Sequence, residues 1–279
     1  MTHEMILENI VALVGLARSG TTIIARCVGM HSRVSLIMEP YHTRRHQNYL
    51  ETDYQKLCTD FGVGVPAGPK SLLIKETGSH PENIERTIIC LDRAAAQGVH
   101  AGLIVVLRSP VEAFLSQVEA VEMLWKEKVD FKNSAESIDA FWRAAKRSLN
   151  VIRTRMFSLP RRLVLYDRFL CEPEQELVRV MGLFSYAFEA AQLAPDPIRW
   201  KKIASLGGDP KSGDLRRGIN VESKTDRRAQ VSEFALRYQA NANARVMMRI
   251  HKLLEELVTG EVYDDEEVAN QFFLAVERG

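Results

Sequence analysis

Two segments of this 279-residue chain carry side chains at spacings suited to holding anions. The first is Val14-Gly15-Leu16-Ala17-Arg18-Ser19-Gly20-Thr21-Thr22, which leaves an apolar, strand-like run and opens a helical one. That is the context a phosphate loop requires. Backbone N–H groups at a helix start, reinforced by the helix dipole, attract negative charge. Gly20 permits close backbone approach, while Ser19, Thr21 and Thr22 add hydroxyl donors. A nucleoside-triphosphatase loop reads GxxxxGK[ST], whereas here Thr21 stands where the lysine belongs and the cation comes earlier, at Arg18. Losing the lysine that pairs the β- and γ-phosphates counts against triphosphate chemistry. The second segment, Arg108-Ser109-Pro110-Val111-Glu112-Ala113-Phe114-Leu115-Ser116, also ends a strand-like run and enters a helix. Arg108 offers a fork of donors matched to phosphate oxygens. Ser116 lies about two helical turns further on, so it meets an anion only if that anion lies alongside the helix. Singly, these features read as a glycine turn, a surface ion pair and a solvated serine. Together they point to two anion pockets.

Proton acceptors come from two other places. Glu39 ends the strand-like run Val34–Met38, at the edge where open α/β sheets bind ligands. His42 follows three residues later, and a histidine's unperturbed pKa of ~6.5 suits a general base. His80, in Ile74-Lys75-Glu76-Thr77-Gly78-Ser79-His80, is a third contender. The basic stretch His42-Thr43-Arg44-Arg45-His46 reads as a solvated helix start, or as a holder for an acidic acceptor. No HxH, HExxH or carboxylate cluster suggests a metal site.

The elements that must position these residues are legible from periodicity. Ile10–Val14, Leu72–Ile74, Leu103–Leu107 and Leu163–Tyr166 are unalternated apolar runs, with Val34–Met38 a weaker fifth. Such runs mark parallel strands covered on both faces. Pro110–Lys126 carries one apolar stripe, with Ser109 as N-cap and Pro110 at the first helical position. The order predicts a doubly wound α/β fold, a parallel sheet flanked by helices in one domain over 1–279. The proline- and glycine-rich stretch 194–228 reads as a long binding loop or lid, and Val231–Val258 returns to helical periodicity.

Composition narrows the class. With 46% hydrophobic and 26% charged residues and a net charge of +1, the composition is that of a globular chain and does not suggest a polyanion such as DNA as a bulk partner. The scattered Cys27, Cys58, Cys90 and Cys171 fit a reducing compartment and neither a disulfide framework nor a zinc site. The acidic N-terminal stretch reads as no export signal and no apolar run reaches membrane-spanning length, so a cytoplasmic protein is expected. The residues carry no signature of an oligomeric state.

Ala17-Arg18-Ser19-Gly20-Thr21-Thr22 resembles the 5′-phosphosulfate loop of sulfotransferases that use 3′-phosphoadenosine-5′-phosphosulfate (PAPS), which reads P-K-S-G-T-T or R-S-G-S-S. Arg108 to Ser116 matches that family's 3′-phosphate motif, R-x-P-x-[DE]-x-x-x-S, at every named position. The resemblance implies a P-loop-like architecture in which Arg18, Ser19, Gly20, Thr21 and Thr22 hold the 5′ end. Arg108 and Ser116 would bind the 3′-phosphate. Tyr166, in a segment resembling Y-E-D-L-x-x-x-P, would lie near the adenine, and Arg217 and Gly218 resemble the R-K-G segment that closes over the 3′-phosphate. By analogy with the strand-plus-E-P element of carbohydrate-type members, Glu39 is the first choice as base, with Arg18 at the leaving oxygen and His42 the rival. His80 stands five residues after Lys75, where cytosolic members place their base histidine two residues after a lysine. Ile23 replaces the tryptophan of cytosolic members. The implied reaction is metal-free transfer from PAPS to a hydroxyl of a small-molecule or carbohydrate acceptor, releasing 3′,5′-adenosine bisphosphate (PAP). The alternatives are a magnesium-dependent ATP kinase and a non-catalytic nucleotide-binding module.

Overall fold

Aliphatic runs with no polar alternation need cover on both faces, and the chain supplies it. A computed structural model describes residues 7–42, 49–63, 71–78, 80–122, 131–194, 198, 201–202, 223–259 and 264–278. Five strands, β1 (Asn9–Gly15), β2 (Val34–Met38), β3 (Ser71–Lys75), β4 (His100–Leu107) and β5 (Arg161–Leu165), form one parallel sheet in the order β2-β3-β1-β4-β5. The helices are α1 (Thr21–Gly29), α2 (Tyr54–Asp60), α3 (Pro81–Ala96), α4 (Pro110–Ala120), α5 (Ala135–Met156), α6 (Tyr166–Cys171), α7 (Pro173–Met181), α8 (Ser223–Arg237), α9 (Ala242–Thr259) and α10 (Asp265–Glu277).

Alternate residues of each strand feed opposite cores. Ile10, Ala12 and Val14 of β1 join Leu72, Ile74, Leu103 and Val105 in the core covered by α3, α5, α9 and α10. Val11 and Leu13 join Leu73, Ile104 and Val106 in the core under α1 and α7. The α/β class expected from sequence is the class observed.

Several expected boundaries shift. The fifth strand ends at Leu165, where its pairing with Leu107 ends, and Tyr166 opens α6. The expected helix from Pro110 is α4, ending at Ala120, and residues 123–126 lie outside the described residues. The helical span expected over 231–258 is two helices. Asn241 interrupts it by accepting from the Ala244 amide as a cap, and the side chains of Asn241 and Asn243 both donate to Asp139 of α5 at 3.1 and 2.8 Å. Helix α8 also begins inside the expected 194–228 loop, at Ser223.

All five strands run the same way, so their carboxyl ends share one edge. Between β1 and β3 the winding changes direction, because the chain fills positions to one side of β1 and then crosses to β4 on the other. Ligands of open α/β sheets bind outside the carboxyl ends at such a switch point.

Candidate functional site

Each strand hands its last residue to one of the sequence motifs. The glycine loop follows Gly15, Glu39 follows Met38, Glu76 follows Lys75, Arg108 follows Leu107 and Tyr166 follows Leu165. Register fixes the edge: Leu13 pairs with both Lys75 and Ile104, Met38 with Lys75, and Leu107 with Leu165.

The loop from Gly15 turns into α1 through two left-handed residues, Arg18 at φ 65° and Gly20 at φ 88°. Gly20 is the N-cap and no side chain caps the helix, so the amides of its first turn stay available to a ligand. A side chain at position 20 has no room: a Cβ would stand 2.1 and 2.2 Å from ring carbons of Tyr166. Ser19 is fully buried, and its Oγ has no hydrogen-bond partner among the described residues. An orphaned buried hydroxyl beside free helix amides is the chemistry of an anion site. Thr21 and Thr22 are buried behind it.

The second motif meets the first directly. Arg18 Nε donates to Ser116 Oγ at 3.2 Å, and Arg108 Nη1 donates to the carbonyl oxygen of Arg18 at 2.9 Å. Arg108 also pairs with Glu112 at 3.1 Å, and its guanidinium lies 4.6 Å from the centre of the Tyr166 ring. Tyr166 therefore packs at the junction of the two motifs, between Gly20 and Arg108. Ser109 caps α4 as expected, its Oγ accepting from the Glu112 amide at 3.3 Å.

The base contenders gather at the β2 and β3 ends. Glu39 is buried with φ 51° and its carboxylate is ion-paired with the fully buried Lys75. Non-glycine residues at positive φ are costly and concentrate at functional sites. Among the described residues only Arg18, Glu39 and Ser185 adopt it, and the first two were named from sequence alone. The rings of His42 and His80 contact edge to face at 6.5 Å. His80 is half-exposed at the start of α3, 3.5 Å from Glu82. Arg217 and Gly218 lie outside the described residues.

One carboxylate at this edge escaped the sequence reading. Glu76 is wholly buried and accepts from the amides of Thr77 at 3.1 Å and Tyr41 at 3.3 Å. Burial, followed by the neighbouring Glu39 charge, pushes its pKa up to about 7, against the pull of Lys75 and of the two amides. Two residues on, the Gly78 amide donates to the Gly15 carbonyl at 2.7 Å, and a Cβ on Gly78 would stand 2.9 Å from that oxygen. The signal was available: Glu76 occupies the same strand-end position as the residues that were named.

No group of three or more His, Cys, Asp or Glu side chains able to hold a metal occurs among the described residues, and no described helix is long and apolar enough to cross a membrane.

Fold and site together define a parallel α/β protein with a glycine turn between its first strand and first helix, at the carboxyl edge of the sheet. Solved structures similar to it are sulfotransferases. The sulfotransferase domain from the Synechococcus PCC 7002 olefin synthase is 16% identical, with 78% of this chain and 90% of that chain covered and a TM-score of 0.49. The sulfotransferase domain from the curacin biosynthetic pathway is also 16% identical, at 77% and 83% coverage and a TM-score of 0.45. Mouse sulfotransferase SULT7A1, complexed with PAP, is 11% identical over 88% of each chain, with a TM-score of 0.44. No family model and no curated protein sequence matches the chain.

Proposed function

We propose that the protein is a sulfotransferase moving a sulfuryl group from PAPS to a hydroxyl of a small-molecule or carbohydrate acceptor. The observation that carries this reading is the contact between the two motifs, Arg18 to Ser116 and Arg108 to the Arg18 carbonyl. Two anion pockets joined this closely suit one ligand with a phosphate at each end of its ribose. The residues present fit such a ligand: Ser19 offers an unused buried hydroxyl, and the first turn of α1 is uncapped.

Arg18, the loop amides and the hydroxyls of Ser19, Thr21 and Thr22 hold the 5′ end, and Arg108 with Ser116 holds the 3′-phosphate. Tyr166 walls the junction. PAPS bound there supplies an activated sulfuryl group bearing a single negative charge. The chain's own part is positioning and electrostatics: Arg18 and the helix amides stabilise the negative charge left on the 5′-phosphate oxygen. Glu39, ion-paired with Lys75, takes the acceptor's proton on a carboxylate oxygen. His42 and His80 stand behind it as the alternative acceptors.

The test is PAP release from PAPS across a panel of hydroxyl acceptors. Glu39→Gln is expected to lower turnover by ~10²–10⁴-fold, the worth of a general base, with PAP affinity unchanged. No transfer to any acceptor despite tight PAP binding would leave a nucleotide-binding module. Magnesium-dependent binding of ATP in preference to PAP would make the protein a kinase instead.

A further inference from the structure

A buried side chain from the far end of the sequence reaches the second anion motif. His251, on α9, places Nδ1 2.9 Å from Ser109 Oγ, across 142 residues of chain. Its Nε2 lies 3.4 Å from Glu255 Oε2, one helical turn on. His251 and Ser109 are both buried, while Glu255 is exposed.

Proton accounting gives this chain a direction. A carboxylate beside Nε2 favours the tautomer with its proton there, leaving Nδ1 as an acceptor. Ser109 O–H then donates to His251, and a Ser109 lone pair accepts the Glu112 amide at the start of α4. The Ser109 hydroxyl is then bonded twice, to His251 and to the Glu112 amide, and cannot rotate without breaking a bond. Ser109 directly follows Arg108, and Glu112 is the ion partner of Arg108 at 3.1 Å. The residues on either side of the Arg108 guanidinium are thus fixed from α9.

We infer that His251 is a positioning residue for the 3′-phosphate pocket, holding Ser109 and the first turn of α4 so that Arg108 meets the anion in one geometry. This rests on the PAPS reading of the site. It gives α9, which contributes no residue to either motif, a role in selecting a nucleotide phosphorylated at the 3′ position.

The experiment measures dissociation constants for two probes, PAP and adenosine 5′-monophosphate (AMP), by calorimetry. His251→Leu removes the acceptor, and His251→Asn restores a polar atom near the Nδ1 position. Loss of one hydrogen bond is worth about fivefold in an equilibrium constant, so His251→Leu is expected to weaken PAP about fivefold and leave AMP unchanged. His251→Asn is expected to recover most of the loss, and the losses from His251→Leu and Ser109→Ala should combine less than additively in the double variant. Equal weakening of both probes would make His251 a general packing residue and overturn the inference, as would unchanged PAP affinity. Should His251→Leu fail to fold, Ser109→Ala decides, because it must lower PAP affinity without lowering AMP affinity. Wild-type protein that does not prefer PAP over AMP refutes the underlying reading instead. Wild-type preference that survives every variant refutes only the role of His251.

Discussion

Replacing Glu76 by Gln isolates the least expected feature of the site. The folded protein holds this carboxyl's pKa at about 7, against an ordinary value of 4.5, chiefly through burial. An unfolded chain releases the proton near the ordinary value, so between the two the native state binds more protons than the unfolded one. Stability is therefore fully present below pH 4.5 and lost as pH rises through about 7. The span from 4.5 to about 7, at ~1.4 kcal/mol per unit, gives a decline of about 3 kcal/mol. Glutamine is neutral throughout and lacks that decline. Its amide has one acceptor oxygen for two amide donors, Tyr41 and Thr77, so a roughly constant loss of about 1–3 kcal/mol is set against it. The diagnostic is thus the slope rather than the offset. Urea unfolding of both proteins from pH 4.5 to 8.5 should show their stability difference moving by about 3 kcal/mol in favour of Glu76→Gln, most steeply between pH 5 and 7. A pH-independent difference would mean that the carboxyl titrates alike in both states, and the buried cluster at the β3 end would be misdescribed.

Two further substitutions probe the same edge. Gly20→Ala meets the Tyr166 ring and a left-handed φ of 88°, so it should destabilise by about 1–2 kcal/mol from backbone strain alone and weaken PAP binding. Adding Tyr166→Ala should recover part of the stability, read by thermal denaturation. Lys75→Met leaves the Glu39 carboxylate buried without its ammonium and should destabilise by about 3–5 kcal/mol, whereas Lys75→Met with Glu39→Leu should restore most of it. Denaturant midpoints of the single and double variants check this.

Much of the architecture could be read from residue order because the strands are buried on both faces and so lack polar alternation. Val34–Met38, the weakest of the five expected strands, forms where expected because it pairs along β3 from Val34–Ser71 to Met38–Lys75. The two motifs were visible because each places a cation and hydroxyls at a strand-to-helix junction. What escaped the sequence depends on contacts distant along the chain. His251 sits among aliphatic residues of a helix, and nothing near it in sequence points to Ser109. The contact of the Tyr166 ring with Gly20 and Arg108 is set by the turn after Leu165. The break between α8 and α9 was hidden because Asn241 caps within an otherwise continuous helical periodicity. Glu76 was missed for a different reason. Its strand-end position was legible, but its perturbation comes from burial beside Glu39, which only the folded sheet creates.

On the proposed reading, Arg18 and Arg108 grip opposite ends of one nucleotide. Calorimetric binding of PAP, AMP and magnesium-ATP to the wild-type chain and to Arg108→Ala tests it most directly. A charge-assisted bond worth about 1.5–3 kcal/mol predicts that the wild type prefers PAP over AMP by about 10–100-fold and that Arg108→Ala abolishes this preference while keeping AMP affinity. Equal affinity of the wild type for PAP and AMP, or a preference preserved in Arg108→Ala, would contradict it.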